Sequence, residues 1–184
     1  MPRPYPSERM QRIARFSRRV AVALLAVMVL TWGLIAYISF GDPEGLLAHP
    51  WLAQTGFDLG AITPIKRVAV FAALIVAALP YQWGLFELWR MFRAFSAGDV
   101  LTPASVAHFR RFAVALTLGV FSSPVGSGLM SLALSIGMPP GQRAFAIAFS
   151  SESLLSGMLG AAMIVVGWVL GEAVAAADEN RSFV

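Results

Sequence analysis

The chain has 184 residues, no cysteine, two histidines and few charges: 13% of its residues are Asp, Glu, Lys or Arg, against about 25% in soluble domains. Without cysteine, disulfide staples, thiolate metal sites and thiol nucleophiles are excluded. The imidazole ligands are limited to His49 and His108. There is no Ser-His-Asp set, no phosphate-cradling glycine loop and no metal-spaced His/Glu cluster. The expectation is therefore a protein with no metal, no cofactor and no catalytic residues, which is not an enzyme. Four spans and three connections would use nearly the whole length, leaving no separate soluble domain of ordinary size.

What the chain has in abundance is apolar surface. Hydrophobic residues make up 58%, and four long stretches carry no charge: Val20 to Phe40, Val68 to Phe86, Phe112 to Gln142 and Ser153 to Gly171. A helix needs about 20 apolar residues to cross a hydrocarbon core of about 30 Å. The pattern predicts an all-α polytopic membrane protein, an up-down-up-down bundle of four transmembrane helices at about 20–40, 68–92, 104–138 and 153–177. A basic segment 1–19 precedes it and an acidic tail 178–184 follows. The first stretch resembles a secretory signal only in its basic flank, being too long for an h-region and ending in Tyr37-Ile38-Ser39-Phe40.

Arginine sets the predicted orientation. Six precede the first stretch (Arg3, Arg9, Arg12, Arg15, Arg18, Arg19), and Arg90, Arg93, Arg110 and Arg111 border the second connection. The other two connections hold Asp42, Glu44, Asp58, Lys66 and Arg67, and Arg143 and Glu152. The positive-inside rule puts both termini in the cytoplasm, with Lys66-Arg67 as a minor violation. The arginine-rich faces should meet anionic lipid, and with no base-stacking aromatic platform beside them no direct nucleic-acid binding is expected.

Several segments carry local signals. Between Gly41 and Thr63, Leu46, Leu47, Trp51, Leu52 and Phe57 suggest a segment lying along the outer interface. In the inner connection Gly98 suits a left-handed helix cap, Thr102 an N-cap and Pro103 the first helical position. In the third stretch, Ser122 to Gly128 surrounds Pro124 with helix-weakening residues and predicts a kink or local unwinding, with Pro80 a milder case in the second. Gly119, Ser123, Ser127, Ser131 and Ser135 recur every four residues, either as a packing ridge for the fourth helix or a homo-oligomer, or as the wall of a polar path. Gly160, Gly167 and Gly171 form a similar ridge on the fourth helix. Two carboxylates, Glu87 and Glu172, fall near the inner ends of the second and fourth helices, where a charge needs a partner. Arg90, Arg110 and Arg111 are the expected partners of Glu87, and Glu172 could reach the same arginines.

The run Leu88-Trp89-Arg90-Met91-Phe92-Arg93-Ala94-Phe95-Ser96-Ala97-Gly98-Asp99-Val100-Leu101-Thr102-Pro103, followed by Phe109-Arg110-Arg111, resembles the inner loop of the DUF2975 family of small bacterial membrane proteins. So does the end of the chain, with Glu172 in the last helix and Glu179-Asn180 in the tail. The sequence departs from the family pattern at Leu101, where an aromatic is usual, and at Ala104-Ser105, where Glu-Asn is usual. The resemblance implies four helices with both termini inside and supplies no activity. Members are often encoded beside a small helix-turn-helix regulator, which implies a cytoplasmic regulatory partner by association. Together these signals predict a non-enzymatic membrane protein that docks a regulatory or immunity-type partner. The docking or ion-pair cluster would comprise Glu87, Arg90, Arg93, Arg110, Arg111, Glu172, Glu179 and Asn180. The alternative is a small transporter or channel subunit with its path along Ser123, Ser127, Ser131 and Ser135.

Overall fold

The structure is a computed structural model and describes residues 8–41, 63–100, 102–139, 145, 147, 149 and 151–182. The outer segment with Trp51, along with His49 and Arg143, lies outside the described residues. Among the described residues there are four long helices and no strand. These are α1 (Glu8–Ala36, continued by a wider π turn over Tyr37–Gly41), α2 (Pro64–Ala97), α3 (Pro103–Leu134) and α4 (Ser151–Ser182). All four are long and apolar enough to cross a membrane, so the protein is a multi-pass membrane protein by length and composition.

α1, α2 and α4 outrun the apolar stretches that predict them, whereas α3 starts nine residues ahead of Phe112 and ends at Leu134, before the predicted 138. The 34 residues of α2 extend about 51 Å, well beyond a core of about 30 Å. The surplus has local causes. At the start of α2, the Thr63 side chain caps the helix and Pro64 occupies the first turn. At its end, Gly98 takes φ 99°, and the amides of Gly98 and Asp99 bond back to Phe95 O and Ala94 O at 3.1 Å each. Four residues later Thr102 opens α3. Its hydroxyl accepts from Ser105 N at 3.2 Å, and Ser105 Oγ accepts from Thr102 N at 3.0 Å. Ser105, one of the departures from the family pattern, thus completes a reciprocal capping box.

Among the described residues the helices pack only on their sequence neighbours: α1 on α2, α2 on α3 and α3 on α4. Among the described residues α1 and α4 do not touch, so the bundle is open, with α2 and α3 at its centre. Neighbours run antiparallel. Gln82 Nε2 of α2 donates to Met28 O of α1 at 3.4 Å, and Arg67 Nη1 donates to Phe40 O at 3.1 Å at the other end of the same pair. The latter explains a cation at the N-terminal end of α2, since it satisfies a carbonyl where α1 finishes. The N-terminus of α1, the turn between α2 and α3 and the C-terminus of α4 therefore share one end, the terminal end.

Close approach depends on missing side chains. A Cβ on Gly126 would collide with Ala77, and one on Gly119 would lie 2.6 Å from the Tyr81 ring. Gly119, where the small-residue ridge of α3 starts, thus meets α2. Farther along the same helix pair, Val70 and Ala73 of α2 join Met130, Ala133 and Leu134 of α3 in the core. On another face of α3, Gly160 of α4 is the tightest contact with backbone: a Cβ there would lie 2.8 Å from Thr117 N and 2.9 Å from Ala113 O. Gly157 and Gly167 admit Val120 and Arg110, whereas Gly171 has its nearest neighbour, Val106, at 3.9 Å.

The local unwinding expected around Pro124 is absent. α3 continues unbroken through Pro124 to Leu134, and Pro80 likewise sits inside an unbroken α2. The hydroxyls that weaken a helix in isolation are bonded here. Ser122 donates to Ala77 O across the interface and to Gly119 O, both at 3.2 Å, and Ser127 to Pro124 O at 2.9 Å.

Candidate functional site

At the terminal end, one face of α2 is buried against α3 and the adjacent face is open. The register of α2 assigns Glu87 to the buried side, where it is 4% exposed, and places Phe86, Trp89, Arg90 and Arg93 toward the open side. The Thr102–Ser105 cap fixes the first turn of α3 and so presents His108 to Glu87. His108 Nδ1 donates to Glu87 Oε2 at 2.6 Å, and Arg111 Nη1 stands 3.8 Å from the same oxygen. When the imidazole carries its second proton this is an ion pair, and otherwise it is a hydrogen bond to a carboxylate. Arg111 is half exposed, so solvent screens its contribution.

His108 was read from sequence only as a lone imidazole, and the expected partner Arg90 does not pair with Glu87. The guanidinium of Arg90 instead stacks over Phe86 at 4.8 Å, and that of Arg93 over Trp89 at 5.3 Å. Both are i, i+4 contacts. The two rings are themselves stacked, 5.6 Å apart and inclined at 24°. Phe86, Trp89, Arg90, Arg93, Ala94, Ala97 and His108 surround an open cleft of about 600 Å³. Among the described residues no acidic side chain lines it, and His108 on its wall is the residue that bonds Glu87. The cleft has an aromatic floor and cationic walls.

The remaining predicted residues are not gathered there. Glu172 is exposed on α4, and among the described residues no ion pair joins it to Arg90, Arg110 or Arg111. The reason is the open bundle: among the described helices α4 meets α3 alone, through its glycines, and turns Glu172 off that ridge. Arg110 lays its stem along Gly167 and lines a separate groove between α3 and α4, with Asp178 on the other wall. Glu179 and Asn180 are exposed on the last turns of α4, which remains helical through the predicted tail. Gly98, Thr102 and Pro103 act through the turn described above. Along the proposed polar path, Ser123 is half-buried, while Ser131 donates to Gly128 O at 2.8 Å and Ser135 to Ser131 O at 2.7 Å. Ser131 is 0% exposed. Among the described residues no group of three or more His, Cys, Asp or Glu is placed to hold a metal.

Four apolar helices, an open bundle and a basic aromatic cleft at the terminal end define a multi-pass membrane protein. Residues 51–182 match the family described as "Protein of unknown function (DUF2975)", and the chain belongs to that family. Neither a curated protein nor a solved structure matches it.

Proposed function

We propose that the protein is a non-enzymatic inner-membrane protein whose terminal end faces the cytoplasm and docks an acidic segment of a soluble regulatory or immunity-type partner in the cleft of α2. The observation that carries this reading is the pair of arginines held on aromatic rings. Arg90 and Arg93 are exposed, yet their side chains are ordered by Phe86 and Trp89, so little rotamer freedom remains to be lost when a carboxylate arrives. Charge balance adds support: Arg90, Arg93 and His108 line the cleft, and Glu87 is engaged by His108. The same arginines can contact anionic headgroups, which would hold the cleft at the interface without filling it.

A polar path along α3 draws less support, because the hydroxyls of Ser127, Ser131 and Ser135 already donate to carbonyls of their own helix. The docking reading is tested by purifying the protein from its native membrane in mild detergent, as wild type and as Arg90→Ala with Arg93→Ala. A soluble protein retained by the first and lost at least tenfold from the second is the expected result. An unchanged set of co-purifying proteins would remove the reading.

A further inference from the structure

Arg110 and Arg111 are the last charges before the apolar stretch of α3 begins at Phe112, so the helix holds both guanidiniums where hydrocarbon gives way to headgroups. Both are exposed. With Ala107 and Val114 they fall at i, i+3, i+4 and i+7, one face of the helix, beside the face that carries Ala115 and Gly119 to α2. Trp83 of α2 closes the side. Together Trp83, Ala107, Arg110, Arg111 and Val114 line a groove of about 300 Å³ between α2 and α3.

The groove is graded in depth. Val114 lies three to four residues beyond the arginines, about 5 Å deeper in the membrane, and Trp83 adjoins Gly84, which meets Ala115 at that same level. The groove is therefore apolar where acyl chains lie and cationic where phosphates lie. Its donors are uncommitted. Among the described residues Arg110 forms no ion pair, and Arg111 Nη1, at 3.8 Å from Glu87 Oε2, is beyond hydrogen-bond range. The indole N–H of Trp83 likewise has no hydrogen-bond partner among them. Arg110 is nevertheless held in place, because its stem lies on Gly167 of α4, where a Cβ would come within 2.6 Å of its Cγ.

We propose that this groove binds one phospholipid with an anionic headgroup, its phosphate held by Arg110 and Arg111 and one acyl chain lying along Trp83 and Val114. Two adjacent guanidiniums present forked donors that match phosphate oxygens, and basic pockets between membrane helices hold lipid headgroups in this way. The Trp83 indole supplies a further donor for a phosphate or ester oxygen of the same lipid. Among the described residues no acidic side chain lines the groove to receive the ammonium of a zwitterionic headgroup, which selects a net negative one. The neighbouring groove between α3 and α4 shares Ala107 and Arg110 but carries Asp178, whose charge disfavours a phosphate, so the headgroup is assigned to the α2 side. A lipid bound there touches α2 directly and α4 through Arg110, joining two helices that among the described residues do not touch each other.

Native mass spectrometry of the purified chain in mild detergent, offered phosphatidylglycerol or phosphatidylcholine with the same acyl chains, tests this. One phosphatidylglycerol per chain should be retained, about tenfold or more above phosphatidylcholine. Arg110→Gln with Arg111→Gln should lower retention about tenfold, and so should Val114→Trp, which fills the groove from an exposed position and keeps both arginines. Arg18→Gln with Arg19→Gln removes the same charge from an adjacent exposed pair on α1 and should leave retention unchanged. Soluble glycerol phosphate should not displace the lipid. Equal retention of the two lipids, retention indifferent to either groove variant, an equal loss from the α1 pair, or displacement by glycerol phosphate would each overturn the proposal. None of the substituted residues lines the cleft of Arg90 and Arg93, so lipid retention and partner docking stand or fall separately.

Discussion

Glu87 would be costly to bury alone, since an unpaired charge out of water costs several kcal/mol, and its position is tolerable because His108 and Arg111 meet the same oxygen. The cost of breaking such a pair comes mainly from the stranded partner. His108→Ala should therefore destabilise the protein by about 3 kcal/mol, while Glu87→Gln with His108→Ala should recover much of that loss, as followed by thermal unfolding in detergent. Strictly additive losses would mean that the two side chains do not interact. Glu87 was legible in the sequence as a carboxylate in need of a partner. Its partner was not, because the nearest bases in sequence are Arg90 and Arg93, and only the α2–α3 register brings His108 within 2.6 Å. The i, i+4 spacing of Phe86 to Arg90 and Trp89 to Arg93 was the signal that pointed those arginines elsewhere. Gln82 went unread for a similar reason: one amide in an apolar stretch is inconspicuous until the structure sets its Nε2 against Met28 O and leaves its Oε1 buried without a partner among the described residues.

Helices are where the sequence was most informative. Four charge-free stretches identify four spans, and the Gly98 and Thr102-Pro103 signals correspond to a left-handed cap and an N-cap with proline in the first turn. Ends extending into polar sequence were less visible, since Arg12 to Arg19 continue α1 by packing Ala14 and Ser17 against the bundle, a tertiary effect. Pro124 misled for the same reason: proline and serine weaken a helix taken alone, but Ser122 is bonded across to α2, and Gly126 lets Ala77 pack close. Which glycines matter was equally hidden. Gly160 and Gly171 look alike in sequence, yet a methyl group on the first meets backbone atoms of Thr117 and Ala113, and on the second meets only ordinary contact. Gly160→Ala should cost about 2 kcal/mol or more, and Gly171→Ala less than about 0.5 kcal/mol, in denaturant unfolding from mixed micelles. Equal losses would place α4 differently on α3.

The whole molecule is a row of four antiparallel helices whose long ends gather charge at one side, and neither its openness nor its cleft could be read from composition. Up-down-up-down order follows from short connections and span count, but whether the fourth helix returns to the first depends on packing angles set by Gly160, Gly126 and Tyr81. That openness separates Glu172 from the arginines of α2 and leaves the Arg90–Arg93 cleft accessible at the terminal end. A photoreactive amino acid at Ala97, which lines the cleft, examines this site in living cells most directly. Irradiation should join the protein to one soluble partner, and Arg90→Ala with Arg93→Ala should abolish that adduct while leaving the amount of membrane-inserted protein unchanged. Adducts to lipid alone, or a protein adduct that survives the loss of both arginines, would show that the cleft is not where a partner docks.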